Sequence, residues 1–297
     1  MPDSNNPCDF CIKADRRTAL ITGGAGGIGR ELGKLFVLDG YDIVLVDKHL
    51  KDLQDVKYGL STIDPDIRIM FMRQDLTLPD AANNVHEFTQ KNGIQVNVLV
   101  NCAGFGTCGF FHDIDKDREL DMLQLHVLTV YKMTRLYIKE MIGRNEGKII
   151  NMSSVSAFQP SPYFATYGAS KSFVLQFSRA LNYELKENKL KVRVLAVCPT
   201  AVRDTGFRIS AKMEGAKAFS SWMSVTARDV ALDTYRAMQS GKDIVIPGRG
   251  FGLLHSLVCR LPTGWLMRIA RWQLKEMSES RFQHIFDVQP EKESKDM

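Results

Sequence analysis

Seven short runs rich in Val, Ile and Leu recur along this chain, with helix-length segments between them. The runs cover residues 18–22, 42–47, 67–73, 96–101, 147–153, 191–198 and 243–246. Several are almost continuously aliphatic, residues 43–46 and 98–100 among them. A strand with one wet face alternates apolar and polar residues, whereas a continuous apolar run needs cover on both faces. Segments 29–39, 118–142 and 167–188 are long enough to be the covering helices. This alternation predicts an α/β fold: a doubly wound sheet of about seven mainly parallel strands, built from right-handed βαβ units, with helices on both faces. At 297 residues and 44% hydrophobic composition, one large sheet fits comfortably in one domain.

The first run leads directly into Thr22, Gly23, Gly24, Ala25, Gly26, Gly27, Ile28 and Gly29, and a helix follows. Strand, glycines and helix in that order let a backbone approach a pyrophosphate and hold its charge at the positive end of the helix. The expected sheet is therefore Rossmann-like and its ligand a dinucleotide; the alternative is a tight βα turn with no ligand. Arg30, just inside the helix, adds charge to such a site or is solvated surface. The second run ends in Asp47. An acidic residue about 20 positions past the glycines accepts hydrogen bonds from ribose hydroxyls and repels a 2′-phosphate. Asp47 thus favours NAD over NADP, while Lys48 beside it is a cation that can accept that phosphate.

Tyr167 and Lys171 stand at i and i+4 in a helical segment, on one face. A free phenol titrates near about 10 and carries protons poorly at neutral pH. A unit charge about 4 Å away, at an effective dielectric near 20, is worth about 4 kcal/mol, or roughly three pKa units. The pair therefore predicts a phenol brought down to about 7, where acid–base catalysis is efficient.

The glycine spacing (Thr22, Gly23, Gly27, Gly29) and the Tyr167–Lys171 pair together resemble the short-chain dehydrogenase/reductase superfamily, in its branch of single-domain enzymes. Further matches follow in the family's order. Asp75, followed by Leu76 and Thr77, stands where the family contacts adenine. Asn101, Cys102, Ala103 and Gly104 correspond to the family's Asn-Asn-Ala-Gly turn, with Cys102 in place of the second Asn. Asn151, Met152, Ser153 and Ser154 end the fifth strand, and Pro199 to Thr205 resemble the loop that meets the nicotinamide, with Thr200 replacing its glycine.

The resemblance covers roughly residues 18–250 and implies an NAD(P)-dependent oxidoreductase that interconverts an alcohol and a ketone or aldehyde by hydride transfer. It places Gly23, Gly27, Ile28, Gly29, Asp47, Asp75, Leu76, Asn101, Ala103, Pro199, Val202 and Thr205 around the cofactor, with NAD favoured over NADP. Ser154, thirteen residues before Tyr167, would hold the substrate oxygen; Ser153 is its neighbour and competitor. Tyr167 would exchange a proton with that oxygen. Lys171 would lower the phenol pKa and bind the nicotinamide ribose. Tyr163 has no lysine at the matching offset and is expected to line the substrate mouth or pack. Segments 160–164 and 205–225 would shape a pocket for a small-to-medium apolar ketone, aldehyde, steroid-like or acyl compound. A homodimer or homotetramer is also implied by the resemblance.

One position departs from the family. His126 stands where the family has a catalytic asparagine, whose main-chain carbonyl holds a water leading from the lysine to solvent. If only the carbonyl matters, histidine serves, and its imidazole can join the proton relay. Otherwise His126 packs and the relay weakens, or turnover is reduced or lost. This departure, with Cys102 and Thr200, keeps open a cofactor-binding scaffold or sensor that does little or no chemistry.

Other features exclude more than they assert. A net charge of +5 without a Lys/Arg block gives a nucleic-acid role little support. Cys8 and Cys11 have half the spacing of a zinc site, but no second pair follows; no metal is expected. Six scattered cysteines and a polar N-terminus without an apolar stretch predict a reducing, cytoplasmic setting. Residues 1–17 read as a flexible leader, and residues 251–297 as an apolar and basic segment followed by a charged tail. That segment allows peripheral membrane contact, and with it a membrane-associated reductase of lipid or acyl carbonyls.

Overall fold

The aliphatic runs become the strands of one parallel sheet. In a computed structural model of the chain, residues 16–213, 216, 219, 224–248, 250–252 and 261–274 are described. The strands are β1 (Thr18–Thr22), β2 (Asp42–Asp47), β3 (Ile69–Arg73), β4 (Val96–Asn101), β5 (Lys148–Met152), β6 (Arg193–Val197) and β7 (Ile244–Val245). They pair in the order β3-β2-β1-β4-β5-β6-β7, and every pairing is parallel. The helices are α1 (Gly27–Leu38), α2 (Leu50–Ser61), α3 (Ala81–Lys91), α4 (Lys116–Leu123), α5 (Val130–Gly143), α6 (Ala165–Glu187), α7 (Phe207–Ser210), α8 (Ala227–Gln239) and α9 (Thr263–Leu274).

Continuous apolar runs are needed because successive strand residues face opposite layers. Ala19 and Ile21 of β1, with Ile43 and Leu45 of β2, face α1, α2 and α8 through Leu32, Phe36, Leu53 and Val230. Leu20, Val44 and Val46 face α3 and α5 on the other side, through Val85, Met133, Tyr137 and Met141. The order of the strands reverses at β1, which lies between β2 and β4. A crevice opens at the carboxyl ends of the strands beside such a switch point, and this is where open α/β sheets bind ligands.

Two expectations change. The stretch 118–142 is helical throughout but not uniformly α: α4 ends at Leu123, a turn of π-helix spans Gln124–Thr129, and α5 continues from Val130. The wider turn carries His126, and such π turns concentrate at functional sites. The strands near the C-terminal half are also shorter at their ends than the aliphatic runs, as with β7. Cys8, Cys11, His255, His284, the charged tail and nearly all of the expected leader lie outside the described residues.

The glycine turn is fixed by close packing. Gly23 has φ +65°, and a Cβ there would stand 2.8 Å from the Ala103 backbone; one on Gly29 would collide with the Gly23 carbonyl oxygen. Gly29→Ala is therefore expected to cost about 1–3 kcal/mol and to lower the thermal midpoint by several degrees. An unchanged midpoint in a thermal melt would contradict so close an approach.

Candidate active site

The carboxyl ends of β1, β4 and β5 are tied together before any ligand is considered. Thr22 Oγ1 donates to the Val100 carbonyl at 3.2 Å and accepts from the Cys102 and Ala103 amides at 3.0 and 3.3 Å. The glycine turn is thereby clamped against the loop that follows β4. Its helix, α1, begins at an N-cap Gly26 with no side-chain cap and no acidic residue in the first turn. Helix N-terminal amides left without a side-chain partner are donors in search of an anion. Gly26 is exposed and a Cβ on it would meet only the Gly23 carbonyl oxygen, so the outer side of the turn is open. This cradle fits the pyrophosphate of a nicotinamide dinucleotide.

The neighbouring groups fit the rest of that ligand unevenly. Asp47 holds its carboxylate against the turn, accepting from the Ala25 and His49 amides at 3.2 Å each. Asp75 accepts from the Thr77 amide and hydroxyl at 3.0 and 2.8 Å. Burial pushes its carboxyl up, but those bonds, with Lys48 and His49 nearby, hold it below the ordinary value. Leu76 is buried, and its carbonyl accepts from Thr129 Oγ1 at 2.8 Å. The loop from Pro199 crosses back to the turn: Val202 bridges to Val225, and Thr205 Cγ2 would touch a Cβ on Gly27. Ile28 packs against the core beneath, and Arg30 is exposed. Asn101, expected beside the cofactor, has its side chain engaged within the protein. Its side chain donates to Asn151 Oδ1 at 2.8 Å and reaches Thr134 Oγ1 at 3.4 Å, so it ties β4 to β5 inside the sheet.

The second group of predicted residues converges at the end of β5 and the start of α6. Ser154, Tyr167, Lys171 and His126 are all buried, His126 to 1% exposure. The two serines separate cleanly: Ser153 Oγ donates to the Lys171 carbonyl at 2.8 Å, while Ser154 Oγ accepts from the Ser156 amide at 3.2 Å and is near enough to the Tyr167 hydroxyl to act on it. The Lys171 ammonium donates to the Met152 carbonyl at 3.0 Å and lies 5.6 Å from the centre of the Tyr167 ring. His126 shares a 3.0 Å hydrogen bond between Nδ1 and Ser170 Oγ, and its ring meets the Tyr167 ring edge-on at 5.7 Å.

The electrostatics correct one expectation. Burial pushes the Tyr167 phenol up to about 12, against the Ser154 hydrogen bond that opposes it. Burial pulls Lys171 down to about 8 and His126 well below the usual histidine range. The phenol is not brought near 7. Both charged forms lose their water together, and the ammonium lies over the ring and is bonded to a carbonyl. Tyr167 is a neutral phenol.

Three neighbours were not legible as site residues. Ser170 lies inside the Tyr167–Lys171 stretch, three residues past the tyrosine, where helical spacing does offer a signal. Phe164 stacks on Tyr167 with ring centres 4.2 Å apart, and Phe207 of α7 lies 5.5 Å from it. No spacing joins Phe207 to Tyr167, because only the tertiary fold does. Together these rings pack around the tyrosine ring, which is buried. Tyr163 sits at φ +63°, meets Phe110 edge-on at 5.1 Å and lines a cavity of about 140 Å³ with Glu119. That cavity and a larger one of about 580 Å³, between residues 157–162 and Met267, both reach Ala165 at the start of α6.

Comparison with known proteins gives a consistent picture. The model of the short chain dehydrogenase family matches residues 17–214. The chain is 30% identical over 192 residues to the 17-beta-hydroxysteroid dehydrogenase type 3 of Mus musculus, covering 64% of this chain and 61% of that protein. It is 29% identical over 280 residues to the very-long-chain 3-oxoacyl-CoA reductase of Anas platyrhynchos, covering 88% and 84%. The first curated relatives are spanned over only 52–61% of their length. Among solved structures, a short-chain dehydrogenase from Sphingobium yanoikuyae in complex with NADPH aligns with TM-score 0.71 at 22% identity, over 94% of this chain and 99% of that one. Another from Burkholderia phymatum, in complex with NAD, aligns with TM-score 0.72 at 22% identity, over 82% and 92%. At that identity the likeness is one of fold.

The depressed His126 has a consequence for stability. Below about 6.5 an unfolded histidine binds a proton, while the folded one stays neutral, so stability falls as pH drops below that value. The melting temperature is expected to fall between pH 6.5 and 5 more steeply in the wild type than in His126→Asn. Parallel slopes in the two proteins would show that the imidazole does not stay neutral on folding.

Proposed function

The chain belongs to the short-chain dehydrogenase family, and on that premise we propose that it is an NAD(P)-dependent oxidoreductase interconverting an alcohol and a carbonyl. One observation carries this reading: Ser154, Tyr167 and Lys171 gather at the carboxyl edge of the sheet, next to an uncapped glycine turn shaped for a dinucleotide. A bound nicotinamide would supply or accept the hydride. The chain's own residues would do the rest. The Ser154 hydroxyl would hold the substrate oxygen, and Tyr167 would pass its proton to that oxygen. Lys171 would stabilise the phenolate left behind.

Cofactor choice is supported by charge. The Asp47 carboxylate sits against the turn, where it opposes a 2′-phosphate, and Lys48 acts on Asp75. This favours NAD. An apolar substrate is supported by the rings of Phe164 and Phe207 and by Met213 beside Tyr167, and by relatives named for steroid and long acyl substrates.

The test is to titrate NADH and NADPH by fluorescence and then screen steroid, acyl and simple ketones with the tighter binder. Tyr167→Phe is expected to lower turnover by about 10²–10⁴-fold while cofactor affinity is kept, and Asp47→Ala to narrow or reverse the preference for NADH. Cofactor binding with no carbonyl-dependent oxidation across the panel would instead favour the scaffold reading.

A second reading concerns where the chain works. No described helix is long and apolar enough to cross a membrane. Yet α9 exposes Trp265 and Met267 beside the exposed Arg268 and Arg271, and residues 244–275 contain no Asp or Glu. Basic charge with an exposed tryptophan is the chemistry of contact with an anionic lipid surface. Co-sedimentation with anionic vesicles is expected to weaken in an Arg268→Glu, Arg271→Glu double variant. Equal sedimentation of both proteins would remove this reading.

A further inference from the structure

His126 leaves one atom unexplained. Its Nε2 is buried and has no hydrogen-bond partner. A buried polar atom is ordinarily paired, so the chemistry next to this one matters. The tautomer follows from its neighbours. Ser170 Oγ donates its single hydrogen to the Tyr167 carbonyl at 2.7 Å, so it can only accept from His126 Nδ1 at 3.0 Å. The reverse tautomer would aim a buried N–H, unpaired, toward an ammonium. Nδ1 therefore carries the proton and Nε2 is a bare lone pair.

That lone pair looks toward Lys171. A Cβ on Gly104 would stand 2.9 Å from His126 Nε2 and 3.6 Å from Lys171 Nζ, so both nitrogens border the space the glycine leaves empty. Lys171 has three protons to place, and Met152 takes one. The ionisable groups acting on the ammonium are the thiols of Cys102 and Cys198, which burial pushes up to about 12 and so keeps neutral. The groups around the imidazole are Tyr167 and Lys171 of α6, with the Phe105 ring from the loop after β4.

We propose, resting on the acid–base reading of this site, that His126 is a positioning residue for Lys171. Its neutral imidazole, locked by Ser170, offers Nε2 as an acceptor to the ammonium, directly or through one water. The side chain would thus hold the lysine alongside the Met152 carbonyl, so that the ammonium stays charged and in register with the phenol.

Two substitutions divide the two ring nitrogens. The side-chain carbonyl of His126→Gln can occupy the place of Nε2, whereas that of His126→Asn reaches only the place of Nδ1. In His126→Asn, and in Gly104→Ala, the limb of the pH–rate profile that reports Lys171 is expected to move about one unit toward acid. In His126→Gln it is expected to stay. Equal profiles in all three variants would overturn the proposal in favour of simple packing. The wild-type protein without substrate gives an independent reading by histidine ¹⁵N NMR, with the His126 signal identified by its loss in the Gln variant. A neutral ring protonated on Nδ1 between pH 8 and 6 is expected, and a cationic ring or a proton on Nε2 overturns the proposal. If no carbonyl supports turnover, the acid–base reading fails, while the NMR result still decides the role of His126.

Discussion

A lysine ammonium held out of water governs this site. Lys171 is 5% exposed, donates to the Met152 carbonyl, and is acted on by the neutral thiols of Cys102 and Cys198, with the His126 imidazole also nearby. Desolvating a charge without an opposite charge is expensive, and the fold meets that cost with dipoles. The carbonyl at the end of β5 is one of them. The same desolvation that weakens the ammonium keeps Tyr167 neutral, and it also keeps the His126 ring neutral. The site is thus a set of uncharged or reluctantly charged groups, in which each proton position depends on the others.

The sheet is what makes such crowding affordable. Lys171 is placed by α6, Met152 and Ser154 by the end of β5, and the glycine turn by the end of β1. Thr22 links the β1 end to the loop after β4, and Asn101 links β4 to Asn151 of β5. These ties are short polar contacts inside a core that is otherwise aliphatic, so they fix register as well as add stability. The π turn at Gln124–Thr129 then brings His126 to the same edge, with Nδ1 on Ser170.

Much of this was legible beforehand because its signals are local. A continuous aliphatic run reports burial on both faces, and glycines between a strand and a helix report a close backbone approach. Tyr167 and Lys171 are neighbours by helical arithmetic alone. The pKa of Tyr167 was not legible, because spacing gives distance along a helix and says nothing of how much water is lost. Strand facing and spacing already favoured Ser154 over Ser153, whereas the Asn101–Asn151 hydrogen bond between two strands had no local signal. Phe207 had no sequence signal as a neighbour of Tyr167.

The sequence by itself determined the parallel α/β sheet, the dinucleotide cradle at its first turn and the identity of the serine, tyrosine and lysine that meet beyond β5. Those follow from periodicity and steric permission, which act over a few residues. The tertiary structure alone decided how deeply the site is buried and which partners His126 meets. Charge states depend on desolvation by residues distant in the chain, and a hydrogen-bonded tautomer depends on which atoms the packing brings within reach.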